Sequence, residues 1–479
     1  MKSWLYFLLI CQTGFLFPAD AVSQSGNKQS NAGKRTQEAF FWNQVPAHTA
    51  NIIVGRPTDH SVTISIQMKL NGIGYLRYGL HPSKLQYQTG RRSFLNDEVM
   101  WIELDSLLKH KKYYYEWLYF LNDDSLRPSS STGYFQTSRK QGDEFVFTIQ
   151  ADSHLDENTD TSIYLRTLQN MRNDSTDFLI DLGDTWMTDK YRANYKDAYQ
   201  QYLAQRYYFA QVGKSAAVFL ALGNHDGETF QRNGNAAVEN RASWATLTRN
   251  ALYPNPFPND FYSGNQEKLP DGGFVKNYYS FTWGDALVIV LDPFRYTTNN
   301  RLPWYRTLGK EQYAWLQQTL QKSKAKFKFI CIHNLVGGND DHGIARGGSE
   351  AASFYEWGGN DSSGVRTFEQ HRPDFDNDIA TLLRTNGVQV VFHGHDHFFA
   401  KQDRDGMVYQ LVPQPGGTKY RTQNFIPEYG YRDGVMFAAP GYMRVKISSA
   451  KARIEFVQTG NGNDKQNGKI LYTYEIQPQ

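Results

Sequence analysis

Five times between Phe145 and His397, a short apolar run stops abruptly in residues that bind metals or move protons. Phe145-Val146-Phe147-Thr148-Ile149 leads into Asp152-Ser153-His154. Phe178-Leu179-Ile180-Asp181-Leu182 leads into Gly183-Asp184, and Val218-Phe219-Leu220-Ala221-Leu222 into Gly223-Asn224-His225-Asp226. The run Phe327–Ile332 leads into His333-Asn334, and Val388–Phe392 into Gly394-His395-Asp396-His397. Runs this short, rich in Phe, Val and Ile, read as buried strands. Helix-like stretches lie between them at Thr161–Met171, Ala193–Gln211, Glu311–Gln321 and Asn377–Arg384, with a strand pair at Tyr278–Trp283 and Ala286–Leu291. Strand-helix alternation implies an α/β core with helices flanking a central sheet. In such a sheet ligands bind at the carboxyl ends of the strands, so blocks remote in sequence are expected on one rim.

The residue types in the blocks belong together. Carboxylate, imidazole and amide oxygen suit Zn, Mn or Fe better than a dedicated Ca or Mg cage. Asp152, His154, Asp184, Asn224, His333, His395 and His397 are too many ligands for one tetrahedral ion, but they suit two ions sharing a bridging carboxylate. Asp152 with His154, and His395 with His397, stand two residues apart, and on an extended strand end both members face one side. The glycines before Asp184, Asn224 and His395 permit sharp turns at the rim. One Asp-x-His or His-x-His is weak evidence, because His is common in ordinary turns. Five blocks in order, each behind a strand, are not a chance pattern. Two such metals acidify a shared water and neutralise charge in an in-line displacement at phosphorus. His225 follows a ligand without being one, which makes it the expected general acid, with Asp226 orienting it. The glycine-rich loop after His333 contains His342 and Arg346 as candidate substrate contacts. Trp186 and Tyr420 are candidate aromatic walls. His393 is expected behind the ligands or in the core.

The rest of the chain limits what this site serves. Lys2, the apolar stretch Trp4–Phe17 and Ala19-Asp20-Ala21 read as a signal peptide over residues 1–21. Residues 22–41 form a polar linker. Residues 42–139 carry short alternating strands separated by turns, the pattern of a β-sandwich, with no metal-binding cluster. Residues 143–479 hold all five blocks and end in strands at Tyr442–Ile447, Arg453–Val457 and Ile470–Ile476. Of the two Cys, Cys11 would leave with the signal, so the mature chain has no internal disulfide; export to a periplasm, a cell surface or the medium accommodates this. No further stretch is apolar enough to span a membrane. A net charge of +3 over 479 residues gives no electrostatic reason to expect a nucleic-acid partner. A small phosphoester substrate is expected, and the oligomeric state is left open.

The five blocks resemble those of the calcineurin-like metallophosphoesterase superfamily: Asp-x-His, Gly-Asp, Gly-Asn-His-(Asp/Glu), His and Gly-His-x-His. The sandwich is similar, by strand pattern and position, to the fibronectin-III-like N-terminal domain of purple acid phosphatases. The resemblance implies a four-layer α/β/β/α core preceded by an all-β sandwich. It implies one divalent metal on Asp152, His154, Asp184 and His397, a second on Asp184, Asn224, His333 and His395, and His225 as general acid. The activity it implies is hydrolysis of phosphate mono- or diesters by a metal-bridging hydroxide. Two rivals differ in class: an exported nuclease, which a digest of single-stranded and duplex DNA discriminates, and a non-catalytic metal-binding pseudo-enzyme, which any turnover excludes. The chain also departs from the purple enzymes. They carry a colour-giving Tyr three residues after the Asp of the Gly-Asp block, where this chain has Met187, and Asp-x-Gly in the first block, where this chain has His154. That exchange predicts divalent metals and no purple colour.

Overall fold

Phe147, Phe178 and Phe219 stand on adjacent parallel strands, Phe145–Gln150, Phe178–Asp181 and Ala217–Leu220, and their rings point the same way. They meet Phe281 and Phe329 from a second sheet, with centroids 5.8 Å apart for Phe147–Phe329, 5.5 Å for Phe178–Phe281 and 4.5 Å for Phe219–Phe281. Apolar side chains that alternate along buried strands must find a second layer, and here that layer is another sheet. The computed structural model describes residues 40–122, 124–229, 240–299, 301–338, 346–417, 425–460, 462 and 465–479. The expected signal peptide and most of the expected linker lie outside them, as do His342 and Tyr420.

The first sheet has six strands, in the order Ala217–Leu220, Phe178–Asp181, Phe145–Gln150, Gly441–Ile447, Ala452–Gln458 and Ile470–Ile476. Its C-terminal half is therefore supplied by the end of the chain, with Met443 paired to Ile149. The second sheet has eight strands around a parallel core of Ala286–Val290, Phe327–Ile332, Val390–His393 and Met407–Leu411. Helices Thr161–Asn173 and Tyr199–Gly213 cover the outer face of the first sheet through Tyr164, Leu168, Tyr202 and Phe209. Helices Gly309–Lys322 and Ile379–Thr385 cover the second through Leu316, Leu320, Leu382 and Leu383. The four layers are α/β/β/α, as the resemblance implies.

Local signals account for the helix starts. Asp160 caps Thr161–Asn173 by accepting from the backbone N–H of Ser162 and Ile163, and Asp378 caps Ile379–Thr385 through Thr381. The helix expected from Ala193 instead begins at Tyr199. Ahead of it, Thr188–Ala198 winds in tight turns broken at Arg192 (φ 53°, ψ −120°). Sequence reading did not include the helix Arg241–Leu252 or the hairpin Phe399–Arg404 with Met407–Leu411.

Residues 50–136 form two facing sheets, one of three strands (Ala50–Gly55, Val62–Met68, Val99–Leu104), the other centred on Gly72–Gly79 and Lys112–Leu121. This sandwich belongs to the same compact unit as the α/β layers, Ala39–Gln479. Ile53 enters the apolar cluster beneath the helix Tyr199–Gly213, and the Tyr115 hydroxyl donates to the Lys214 carbonyl at 2.7 Å. The buried Arg206 guanidinium donates to Ser65 Oγ at 3.1 Å and to the Leu252 carbonyl. Arg139 grips Asp177 with two bonds of 2.7 and 2.9 Å. No helix among the described residues is long and apolar enough to cross a membrane.

Phe178 is the keystone of the inter-sheet aromatics, with Phe147, Phe219, Phe281 and Trp283 rings all within 5.6 Å. Phe178→Ala should cost about 3–5 kcal/mol, the usual range for a buried Phe truncation, read as a lower urea midpoint of the first unfolding transition. A shift equivalent to less than about 1 kcal/mol would mean that the two sheets do not depend on this contact.

Candidate metal centre

The carboxyl ends of the strands do converge. Asp152, His154 and His397 bring their ligand-type atoms within 4.8 Å of one another, and Asp184, His333 and His395 do the same. The two groups touch. Asp184 Oδ2 lies 3.4 Å from His154 Nε2 on one side and 3.4 Å from His333 Nε2 on the other. Asn224 Oδ1 lies 3.0 Å from His333 Nε2. All seven residues that the sequence singles out as metal-ligating are therefore brought to one place.

The backbone reaches this arrangement differently from the expectation for an extended strand end. Asp152 (φ 60°), His154 (φ 48°), Asp184 (φ 58°), His395 (φ 79°) and His397 (φ 66°) are all left-handed. Non-glycine residues enter that region at a cost, and clusters of them mark sites whose surroundings over-determine the conformation. Each chain thus turns at the ligand residue itself, rather than presenting i and i+2 side chains from a flat strand. Two glycines make room for the turns. Gly183 has φ 97°, and a Cβ there would meet the Gly223 nitrogen at 2.2 Å. A Cβ on Gly394 would sit 2.8 Å from Asp152 Oδ2.

The electrostatics suit cation ligation. Asp152 Oδ1, His154 Nε2 and His395 Nε2 are buried without a hydrogen-bond partner. An orphaned buried polar atom costs about 1–3 kcal/mol, and these three, two in one ligand group and one in the other, are accounted for by a cation in each group. Carboxylate and imidazole donors of this mix fit a Zn-, Mn- or Fe-type ion. The second nitrogen of two of the imidazoles is fixed from behind, as ligating histidines require. His333 Nδ1 donates to the Leu182 carbonyl at 3.0 Å, and His154 Nδ1 faces Asp156 Oδ2 at 3.4 Å. Burial holds His395 well below the usual imidazole pKa, in the neutral form a metal needs. Burial would also raise Asp184, but the His333 and His225 charges outweigh it and hold the carboxyl well below its usual range. At His154 burial is likewise overcome, by Asp156 and Asp184, which raise it to about 9, so a cation bound there would have to displace a proton.

Two assignments are corrected. Asp226 does not orient His225. Its carboxylate turns away into the fold and accepts four backbone N–H groups, from Asp184 (3.1 Å), Thr185 (2.7 Å), Trp186 (3.0 Å) and Gly223 (2.7 Å). Burial, with the Asp184 charge beside it, pushes its pKa up to about 7 against those donors. The residue facing His225 is Asp189, whose two carboxylate oxygens lie 2.9 and 3.0 Å from His225 Nδ1. Asp189 was missed because it sits in the kinked turns after Met187, where no periodicity singles it out; its one signal is an acidic residue shortly after the Gly-Asp block. Trp186 is not a cleft wall either. It is fully buried, stacked on Tyr202 at 4.6 Å. Arg346 lies beside the rim with its guanidinium 2.6 Å from Asp396 Oδ1 and over the Tyr429 ring. Asp396 also accepts the Gly347 N–H and the Tyr431 hydroxyl, which anchors the end of the loop to the Gly-His-x-His block. His393 is buried in the strand, as expected.

Comparison with known families matches residues 145–399 to the calcineurin-like phosphoesterase model. Among solved structures, a purple acid phosphatase from yellow lupin (Lupinus luteus) superposes with a TM-score of 0.59 at 11% identity, over 90% of this chain and 74% of that one. A structure of PhoD superposes with a TM-score of 0.61 at 14% identity, over 90% and 92%. At these identities the likeness is one of fold. A comparison with curated proteins found no match.

The two aspartates near His225 should separate experimentally. Asp226→Asn puts an amide N–H₂ among four N–H donors; it should cost on the order of 1.5–3 kcal/mol and weaken metal uptake. Asp189→Asn should leave stability and metal content unchanged and lower kcat most for esters with poor leaving groups. Thermal melts, elemental analysis and a leaving-group series check both; the reverse assignment of effects would restore Asp226 as the partner of His225.

Proposed function

Because the chain belongs to the calcineurin-like phosphoesterase family, whose members are hydrolases of phosphoric esters, we propose that it is an exported two-metal phosphoesterase acting on small phosphate mono- or diesters. The observation that carries this is the meeting of two three-residue ligand groups at the single Asp184 carboxylate. In this reading Asp152, His154, Asp184 and His397 hold one divalent ion, and Asp184, Asn224, His333 and His395 hold the other. When bound, the two ions supply an acidified water and a positive cradle for phosphoryl oxygens.

The protein's own groups do the rest. His225 stands at the edge of the ligand set, its ring 5.5 Å from that of His154, and it is half-buried rather than sealed in. Asp189 on Nδ1 fixes the ring and leaves Nε2 as the nitrogen facing the leaving-group oxygen. Protonation of that oxygen by His225 is the step assigned to this side chain. Arg346, paired with Asp396 at 2.6 Å, serves the rim as a support. Export rests on the residue 1–21 pattern, and N-terminal sequencing of the mature protein, expected to start near residue 22, tests it.

Turnover in a screen of monoesters, diesters and nucleotides by metal-reconstituted protein tests the activity; no turnover of any of them with two ions bound would overturn it. His225→Ala should lower kcat by roughly 10²–10⁴-fold with metal content intact, and least for good leaving groups. Asp184→Asn should lose at least one ion by elemental analysis. With Met187 in place of the purple enzymes' Tyr, the aerobically purified protein should show no tyrosinate-to-iron band and should work best near neutral pH.

A further inference from the structure

The segment just ahead of the sandwich is tied to the metal centre at two points. The Trp42 backbone N–H donates to the Leu155 carbonyl at 2.9 Å, and its indole N–H donates to the Asp156 carbonyl at 3.0 Å. Leu155 and Asp156 directly follow His154, and the Asp156 carboxylate is the group behind His154 Nδ1. The same carboxylate is held by Lys190 Nζ at 2.5 Å and by the Asn158 backbone N–H at 2.9 Å. The second tie is one residue earlier in sequence. The Phe41 ring stacks on Tyr191, with centroids 4.1 Å apart and planes 16° apart.

Tyr191 is the last of three consecutive residues with distinct duties. Asp189 holds His225, Lys190 holds Asp156, and Tyr191 meets Phe41. This stretch needs an outside hold. It follows a left-handed Met187 with no side-chain cap and is broken at Arg192, so no regular helix fixes it. On the far side of Leu155, Gln201 Nε2 donates to the same carbonyl that receives Trp42, at 2.8 Å. The loop that carries His154 is thus clamped between the helix Tyr199–Gly213 and the N-terminal segment.

Resting on the two-metal reading above, we propose that Phe41–Asn43 form a positioning strap. Trp42 fixes the Asp156 support of the metal ligand His154, and Phe41 fixes the segment whose Asp189 aims His225. Neither side chain touches substrate. Both lie outside residues 145–399, the part matched to the family, so the strap is a feature of this chain beyond the common core. Metal-ligand supports of this kind are typically worth 10–100-fold in metal affinity or activity.

The test uses the full-length protein, stripped of metal and titrated with Co²⁺, with uptake followed by visible absorption. Trp42→Phe keeps a ring but removes the indole donor, and Trp42→Ala removes both. Trp42→Ala should weaken one of the two Co²⁺ steps by about tenfold or more while sparing the other, with the metal-free melting temperature unchanged; Trp42→Phe should fall between it and wild type. Phe41→Ala should leave both Co²⁺ steps intact and lower kcat more for poor than for good leaving groups, with KM unchanged. Unaltered Co²⁺ affinity in Trp42→Ala overturns the strap, as does an equal loss at both steps that tracks a lower metal-free melting temperature. An equal kcat loss across leaving groups in Phe41→Ala overturns its second arm. A wild-type chain that takes up no pair of Co²⁺ ions overturns the two-metal reading itself, an outcome distinct from the other two.

Discussion

Four backbone N–H groups, from two strand ends, Asp184–Trp186 and Gly223, point at one buried carboxylate, that of Asp226. Hydrogen bonds to an ionised acceptor are about twice as strong as neutral ones, and here they bind the turn Asp184–Trp186 to the turn at Gly223. The side chain of Asp184 is aimed only because its backbone is held in this way. Its Oδ1 accepts the His225 N–H at 2.7 Å, while Oδ2 faces the two imidazoles. Remove that anchor and the left-handed backbone at Asp184 loses the acceptor of its own N–H and of the two residues after it.

Strain at the rim is matched by rigidity beneath it. Strands packed face to face through interlocking aromatic rings cannot shift to relieve a turn at their ends. Five ligand-type residues in the left-handed region can therefore persist side by side. The groups that orient His154 and His225 come from places with no regular structure: Asp156 from the loop after the first strand, Asp189 and Lys190 from the kinked turns, and Trp42 from the chain ahead of the sandwich. Ordered strands deliver the ligands, while irregular segments aim them.

That division decides what was legible in the sequence. Strands with a buried face advertise themselves through Phe, Val and Ile runs, and a ligand standing directly after such a run is readable without a structure. All seven metal-ligating candidates could be read on that basis, whereas the four layers came from the family resemblance alone, because the runs by themselves imply one central sheet and not the two that form. Asp189 could not, because its role depends on a turn whose φ and ψ no periodicity encodes. Asp226 was misread for a related reason. It adjoins His225 in sequence, but the turn sends the two side chains in opposite directions, one to the rim and one into the fold. Trp186 was misread as exposed because an aromatic beside a ligand looks the same in sequence whether it faces solvent or, as here, stacks on Tyr202.

The first sheet joins strands far apart in sequence: Phe145–Gln150, which leads to Asp152, lies between Phe178–Asp181 and Gly441–Ile447. During synthesis the early strand can pair on one side soon after it emerges. On the other side its ladder stays open until Gly441–Ile447 has been made. Loop closure over so long a stretch is slow, and an open strand edge invites pairing with other chains. The order of assembly is thus set by the topology: the site's first strand is among the earliest parts of the α/β core to be translated and among the last to be enclosed. A ribosome that stalls or a frame that shifts shortly before Gly441 would release a chain carrying all seven candidate metal ligands, yet with the strand beneath Asp152 left as an unprotected edge.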